Sequence, residues 1–279
     1  MIKNWLVRGD CHGNFAWMTN GCLNNYTPEE TAIIILGDAG INFWLNKTDK
    51  YVKRNIENKG YTFYIVKGNH EARPETLPNI RTIFDENLNQ YILIEEEYPH
   101  IRYFNQYGFY KIGNYNCLIL GGAYSVDKWY RLARVGLTEK TNIPTKSLWF
   151  ADEQMTKHEM QECEQNIINN YGPEIDFIFS HTCPYSLQPT DMFLSGIDQS
   201  KVDNSMELWM EKIYQKYRGK FIAWLWGHFH RDSIEAPHCE MLYNDIENLD
   251  DIVARWKKYD ETGELDWWLV KSPYFEERK

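Results

Sequence analysis

The side chains able to do chemistry fall in five short polar turns. They are Asp10 and His12 in Gly9-Asp10-Cys11-His12-Gly13-Asn14, Asp38 in Gly37-Asp38, Asn69 and His70 in Gly68-Asn69-His70-Glu71, His181 in Ser180-His181-Thr182-Cys183-Pro184, and His228 and His230 in Gly227-His228-Phe229-His230. A single Asp-x-His pair arises often by chance and can serve as a strand-ending turn whose aspartate caps a helix. Five such turns, each directly after an apolar run, point to metal ligation, because carboxylate, imidazole and amide groups are the ligand types of divalent metals. A carboxylate has two oxygens, so one aspartate can bridge two cations about 3.5–4 Å apart, and such a pair can clamp the attacking and leaving oxygens of a phosphoryl displacement. The donor set predicts two divalent or trivalent transition-metal ions held by Asp10, His12, Asp38, Asn69, His181, His228 and His230. Without thiolate, it suits Mn, Fe, Zn or Ni better than Mg or Ca.

The elements that must carry these turns are legible from periodicity. Trp5-Leu6-Val7, Thr31 to Leu36, Tyr61 to Val66, Phe177-Ile178-Phe179 and Phe221 to Trp226 are continuous apolar runs, the pattern of strands buried on both faces. Helices are predicted over Phe15 to Asn25, ending before Thr27-Pro28, and over Thr48 to Lys59, closed by Gly60. Alternating strands and helices imply a parallel sheet, and ligands of such sheets gather beyond the carboxyl ends of the strands. The runs 91–94, 103–104, 109–112 and 117–120 predict an antiparallel meander. Asp152 is placed to cap a helix from Glu153 to Asn170, stopped by Gly172-Pro173, and Ser205 to Tyr217 is helical by pattern. After Ser233 the expectation is strands, over Glu240 to Tyr243 and Leu265 to Val270. A basic, aromatic loop at about 125–150 is the candidate substrate wall.

With 279 residues, 43% of them hydrophobic, the chain can bury one large core, and it reads as a single domain spanning 1–279. The net charge of -10 argues against long nucleic acid or a membrane as partner, since both demand basic surfaces. No apolar stretch approaches the roughly 18 residues of a spanning helix, and no signal sequence is present, so a cytoplasmic protein is expected. Its six cysteines include no Cys-x-x-Cys pair, which leaves neither a zinc ribbon nor a disulfide framework indicated. Cys11 and Cys183 stand beside ligand positions but lack an evident activating base, so neither is expected to act as ligand or nucleophile.

The ordered series Asp-x-His, Gly-Asp, Gly-Asn-His-Glu, a lone His and Gly-His-x-His, running over residues 9 to 230, resembles the calcineurin-like metallophosphoesterases. The resemblance implies an α/β (α+β) fold, a four-layer sandwich of two mixed β-sheets packed face to face and flanked by helices. It implies a first metal on Asp10, His12 and His230, a second on Asn69, His181 and His228, and Asp38 bridging them. It also implies direct attack on phosphorus by a metal-bound hydroxide, with His70 as general acid near the leaving oxygen. Glu71 reads equally well as a helix-start carboxylate bonded to backbone amides. Ile41 and Asn42 stand where protein phosphatases of this family carry an aspartate and an arginine. Phosphate contacts are therefore assigned to Arg73, Lys128, Arg131 or Arg134, and Trp129, Trp149 and Phe150 could stack on a substrate ring. The leading expectation is hydrolysis of small or medium phosphorylated substrates, favouring monoesters. The alternatives are a nuclease or cyclic-nucleotide phosphodiesterase with the same site, and a scaffold that binds metal without catalysis.

Overall fold

A computed structural model describes residues 2–139, 149–193, 195–266 and 268–278, and the side chains of 134–139 lie outside that description. In chain order the elements are β1 (Asn4–Arg8), β2 (Thr31–Ile35), α1 (Lys47–Glu57), β3 (Thr62–Ile65), β4 (Ile80–Asp85), β5 (Gln90–Glu95), β6 (Ile101–Tyr103), β7 (Tyr107–Ile112) and β8 (Tyr115–Leu120). There follow α2 (Lys128–Glu139), α3 (Lys157–Cys163), α4 (Asn169–Tyr171), β9 (Phe177–Ser180), α5 (Ser205–Tyr217), β10 (Ala223–Trp226), β11 (Ser233–Ala236), β12 (Cys239–Met241), β13 (Ile246–Asn248) and α6 (Leu249–Thr262).

One sheet runs β13-β1-β2-β3-β6-β5-β4 and the other β11-β12-β10-β9-β8-β7. Strands β1, β2, β3 and β6 are parallel neighbours in the first, as are β8, β9, β10 and β12 in the second, and antiparallel strands complete both edges. The strand period of two explains why both faces of β2 are apolar. Ala32 and Ile34 join Ile119, Phe179 and Leu225 in a core between the sheets, while Ile33 and Ile35 point outward to meet Ile56 of α1. On the far side, Trp224 and Trp226 pack against Met206, Trp209 and Ile213 of α5. Helix, sheet, sheet and helix thus form the predicted four-layer sandwich.

Several local expectations are corrected. The segment 15–25 forms only a 3-10 turn, Ala16–Thr19, because Gly21 turns the chain at φ 88° and the Thr19 hydroxyl bonds back to Ala16 O. The presumed meander is split between the sheets, with β5 and β6 in the first and β7 and β8 in the second. Part of the presumed loop is helix α2, and 140–148 lie outside the described residues. The next helix begins at 157, not 153: Thr156 and Glu159 make a reciprocal capping box that Asp152 does not supply, and a π-helical stretch, Glu164–Ile168, follows. Among the described residues of 265–270 no strand forms, Trp267 lying outside them, whereas the unexpected α6 docks Leu249, Ile252 and Trp256 on the inter-sheet core. No described helix is long and apolar enough to cross a membrane.

Candidate metal centre

Each polar turn leaves the carboxyl end of a parallel strand: those of β1, β2 and β3 from one sheet, those of β9 and β10 from the other. The turns after β1 and β2 are zipped together by Cys11 and His12 N–H donating to Asp38 O and Gly13 N–H to Ala39 O. Four of the candidate ligands hold left-handed backbone: His12 at φ 47°, Asp38 at 45°, His228 at 68° and His230 at 57°. Such conformations each cost on the order of 1–3 kcal/mol outside glycine, and they persist where surrounding contacts enforce them, often for function.

The ligand turns also need room that only glycine leaves. A Cβ on Gly37 would overlap the His181 ring, and one on Gly68 would overlap the Asp38 carboxylate. Glycines one residue before Asp38 and Asn69 therefore let ligands from neighbouring turns approach.

The side chains of the five turns come close together. Around Asp10 Oδ2 lie His230 Nε2 at 3.2 Å and His12 Nε2 at 3.5 Å, the two imidazole nitrogens being 2.8 Å apart. Around Asp38 Oδ2 lie His181 Nε2 at 3.5 Å, His70 Nε2 at 3.8 Å and His12 Nε2 at 4.0 Å. Asn69 Oδ1 is 2.8 Å from His181 Nε2, and the His228 and His181 ring centres are 5.0 Å apart. Donor atoms of Asp10, His12 and His230 all lie within 4.8 Å of one another, and so do those of Asp10, Asp38 and His181. The second grouping adds Asp10 to a neighbourhood that the resemblance assigns to Asn69, His181 and His228 with Asp38 bridging.

Backbone contacts fix each carboxylate by one oxygen: His228 N–H donates to Asp10 Oδ1 at 2.7 Å and His70 N–H to Asp38 Oδ1 at 2.8 Å. The other oxygen of Asp38 is buried without a hydrogen-bond partner. A buried, unpaired carboxylate oxygen ringed by imidazole nitrogens is costly unless a cation completes it, so the residues present fit a metal.

Electrostatics agree. Burial alone would raise the Asp10 and Asp38 carboxyls, but the surrounding histidines, His181 foremost, hold both well below the usual carboxylate range. Burial works against charge on His181 too, yet Asp38 and Asp10 push it up to about 9. His228, buried and beside His181, is pushed down to about 3 and keeps a free lone pair. His181 Nδ1 donates to Leu36 O at 2.7 Å, so Nε2 faces the site.

The metal-free protein should lose stability as pH rises past neutrality. His181 rises from 6.5 unfolded to about 9 folded, so its contribution, at most about 3 kcal/mol, is full below pH 6.5 and lost as pH rises to about 9. Thermal melting of metal-stripped protein should decline across that window, and metal-loaded protein should not show the decline. Titration calorimetry in buffers of different ionisation enthalpy should register about one proton released on loading at pH 7.5.

Other sequence assignments fare differently. Arg131 reaches the site: its Nη2 is 3.4 Å from His70 Nε2, and Nε donates to Asp127 Oδ2 at 2.7 Å. Arg73 does not line the cavity at the metal residues; it pairs with Glu159 and donates through Nε and Nη2 to the carbonyls of Asp152 and Gln154. Lys128 sits 4.3 Å from the Trp149 ring centre, among Tyr124 and Trp129, and also stays off the cavity wall. Trp129, Trp149 and Phe150 do not line that wall either, and the side chain of Arg134 lies outside the described residues. Glu71 Oε1 accepts from Ala39 N–H at 3.1 Å, the backbone-bonding role. Burial pushes the Cys11 thiol up to about 12 and the Cys183 thiol well above its ordinary value, leaving both inert.

Sequence reasoning missed Ser125, whose Oγ accepts from Asn69 Nδ2 at 2.8 Å and so turns Asn69 Oδ1 toward His181. It also missed Tyr243, which stacks on His230 with ring centres 4.8 Å apart. Neither contact leaves a local sequence signal.

Comparison with known proteins decides the family. Residues 5–232 match the family profile of the calcineurin-like phosphoesterases. The chain belongs to that family. Members are metal-dependent, using paired transition-metal ions, and the chain is accordingly a hydrolase acting on phosphate esters. Similar solved structures include phosphopantetheinyl hydrolase (PptH) from Mycobacterium tuberculosis, 12% identical over 98% of this chain and 97% of that one, with a TM-score of 0.40. Another is the sulfate thiohydrolase SoxB of Thermus thermophilus in complex with glycerol, 11% identical over 84% of this chain and 37% of that one, TM-score 0.34. No curated protein matches the chain in sequence.

Proposed function

We propose that the chain hydrolyses phosphate monoesters of small or medium alcohols at a dinuclear centre. The observation that carries this reading is the unpaired, buried Asp38 Oδ2 between two clusters of donors. Asp10, His12 and His230 would hold one ion, Asn69, His181 and His228 the other, and Asp38 both. When bound, such ions lower the pKa of water towards about 7 and neutralise charge on phosphoryl oxygens.

The chain's own groups supply the rest. Arg131, oriented by Asp127, presents a guanidinium at the cavity wall next to His70, where it can take a phosphoryl oxygen. His70 Nε2 can deliver a proton to the departing oxygen. Burial, with help from Arg131, holds that imidazole below its ordinary value, so a phosphate anion in the cavity is the charge that restores its proton. The free thiols, none paired, support a reducing, cytoplasmic setting.

The test is turnover of p-nitrophenyl phosphate against bis-p-nitrophenyl phosphate by metal-stripped protein with Mn, Ni, Zn, Fe or Mg restored separately. A metal-dependent preference for the monoester is expected. Preference for the diester would favour the phosphodiesterase alternative, and silence on both with two ions bound would favour a scaffold. His70→Ala should retain its ions and lose about 10²–10⁴-fold in kcat on esters of poor leaving groups, with a much smaller loss on p-nitrophenyl phosphate. Equal losses on both would remove His70 from the proton-transfer role.

A further inference from the structure

The cavity at the metal residues, about 600 Å³, is far larger than a phosphate group requires, and its second wall has a different character. Met192, Phe193, Ile197, Val202 and Phe229 make most of that wall apolar, Gln188, Gln199 and Asn204 add amides to it, with Gln188 Nε2 donating to Asn204 Oδ1, and Glu207 of α5 also lines the cavity. Glu207 is only 4% exposed. Its Oε1 accepts from the Thr182 hydroxyl at 2.9 Å, and its Oε2 is buried with no partner. Burial pushes the Glu207 carboxyl up to about 7; a donor bound beside it would favour the carboxylate form, and an oxygen left without one there is costly in an empty cavity. Its complement is an N–H donor, cationic or neutral, attached to an apolar body.

The same geometry speaks against other occupants. A second phosphate or a carboxylate on the leaving group would face the Glu207 carboxyl across an apolar wall. Among the described residues that line the cavity, the cationic side chain is Arg131, and it stands beside His70.

We propose that this wall is the leaving-group subsite and that it selects phosphate esters of medium-sized apolar alcohols carrying an amine or other N–H donor for Glu207. The proposal rests on the monoester reading above. Phosphoryl recognition and leaving-group recognition are then separate: the metal residues and Arg131 take the phosphate, and the apolar wall with Glu207 takes the alcohol.

Three aryl esters of closely similar leaving-group reactivity isolate the interaction. They are tyramine O-phosphate, 4-ethylphenyl phosphate and 3-(4-phosphonooxyphenyl)propionate, which end in an ammonium, a methyl and a carboxylate. In metal-loaded protein, kcat/KM should fall in that order, by about tenfold or more at each step, the range expected for gaining or losing a hydrogen bond to a charged group. Glu207→Gln should bring the three together. Val202→Lys, at a half-buried wall position that can carry a longer side chain, should reverse the order towards the propionate and serves if the buried substitution prevents folding. Tyramine itself, followed by ligand-observed NMR against 4-ethylphenol, gives a readout independent of hydrolysis. Turnover of p-nitrophenyl phosphate with the three esters equal, or an order unchanged in both variants, would overturn the subsite and leave the monoester reading standing. Glu207-dependent binding of tyramine without turnover of any ester would do the reverse, and neither binding nor turnover would overturn both.

Discussion

Asp38→Asn should hold at most one ion per chain and lose about 10³-fold or more in kcat on p-nitrophenyl phosphate. The carboxylate is fixed by His70 N–H on Oδ1, which leaves Oδ2 to face His181, His70 and His12. An amide keeps the shape and removes the negative charge that two cations would share. With the NH2 at the Oδ2 position it presents a donor where a metal needs an acceptor. The loss matches the scale seen when one preorganised electrostatic group is removed from an active site. Stability should fall as well. His181, His70 and His12 hold the Asp38 carboxyl well below the usual carboxylate range, and Asp38 in turn does most to push His181 up to about 9, so metal-free Asp38→Asn should melt below metal-free wild type near neutral pH. Two tightly bound ions per chain in this variant, measured by elemental analysis after gel filtration, would refute bridging by Asp38.

Gly68→Ala should be nearly as damaging, although the residue touches no substrate and carries no donor side chain. Its Cβ would overlap Asp38 Oδ1 and the Asp38 backbone nitrogen, both parts of a turn already held by backbone hydrogen bonds to the turn after β1. Something must move, and the neighbours are backbone and a pinned carboxylate, not the end of a flexible chain. A destabilisation of about 3 kcal/mol is expected, the upper part of the usual overpacking range, with loss of paired metal binding. Denaturant melts of metal-free protein give the first figure and metal counts the second. A variant that binds two ions with wild-type affinity would show that the Asp38 turn is far more yielding than its contacts indicate.

The site was largely legible in the sequence because its signals are local. A continuous apolar run ending in Gly-Asp or Gly-Asn-His fixes both the strand and the residue at its carboxyl end, and parallel pairing of β1, β2 and β3 brings those ends together. Long-range partners were not legible. Nothing near Arg73 announces that Glu159 will take its guanidinium, 86 residues later. The apolar wall is likewise built from the loop between β9 and α5, whose position depends on packing against Trp224 and Trp226. Helix α6 is a different case. Its signs were present: Asn248 accepts from Asp250 N–H at the start, Leu249, Ile252 and Trp256 share a face, and Gly263 ends it at φ 72°. The expectation of further strands obscured a helical period that the residues carry.

Whether Asp38 joins two ions in one centre can be read from electron paramagnetic resonance of the metal-stripped protein reloaded with manganese to saturation. Two Mn ions per chain and the spectrum of an exchange-coupled pair are expected, as for ions about 3.5–4 Å apart. A six-line spectrum of isolated Mn at full loading, whether from one ion per chain or from two that do not couple, would contradict a shared centre.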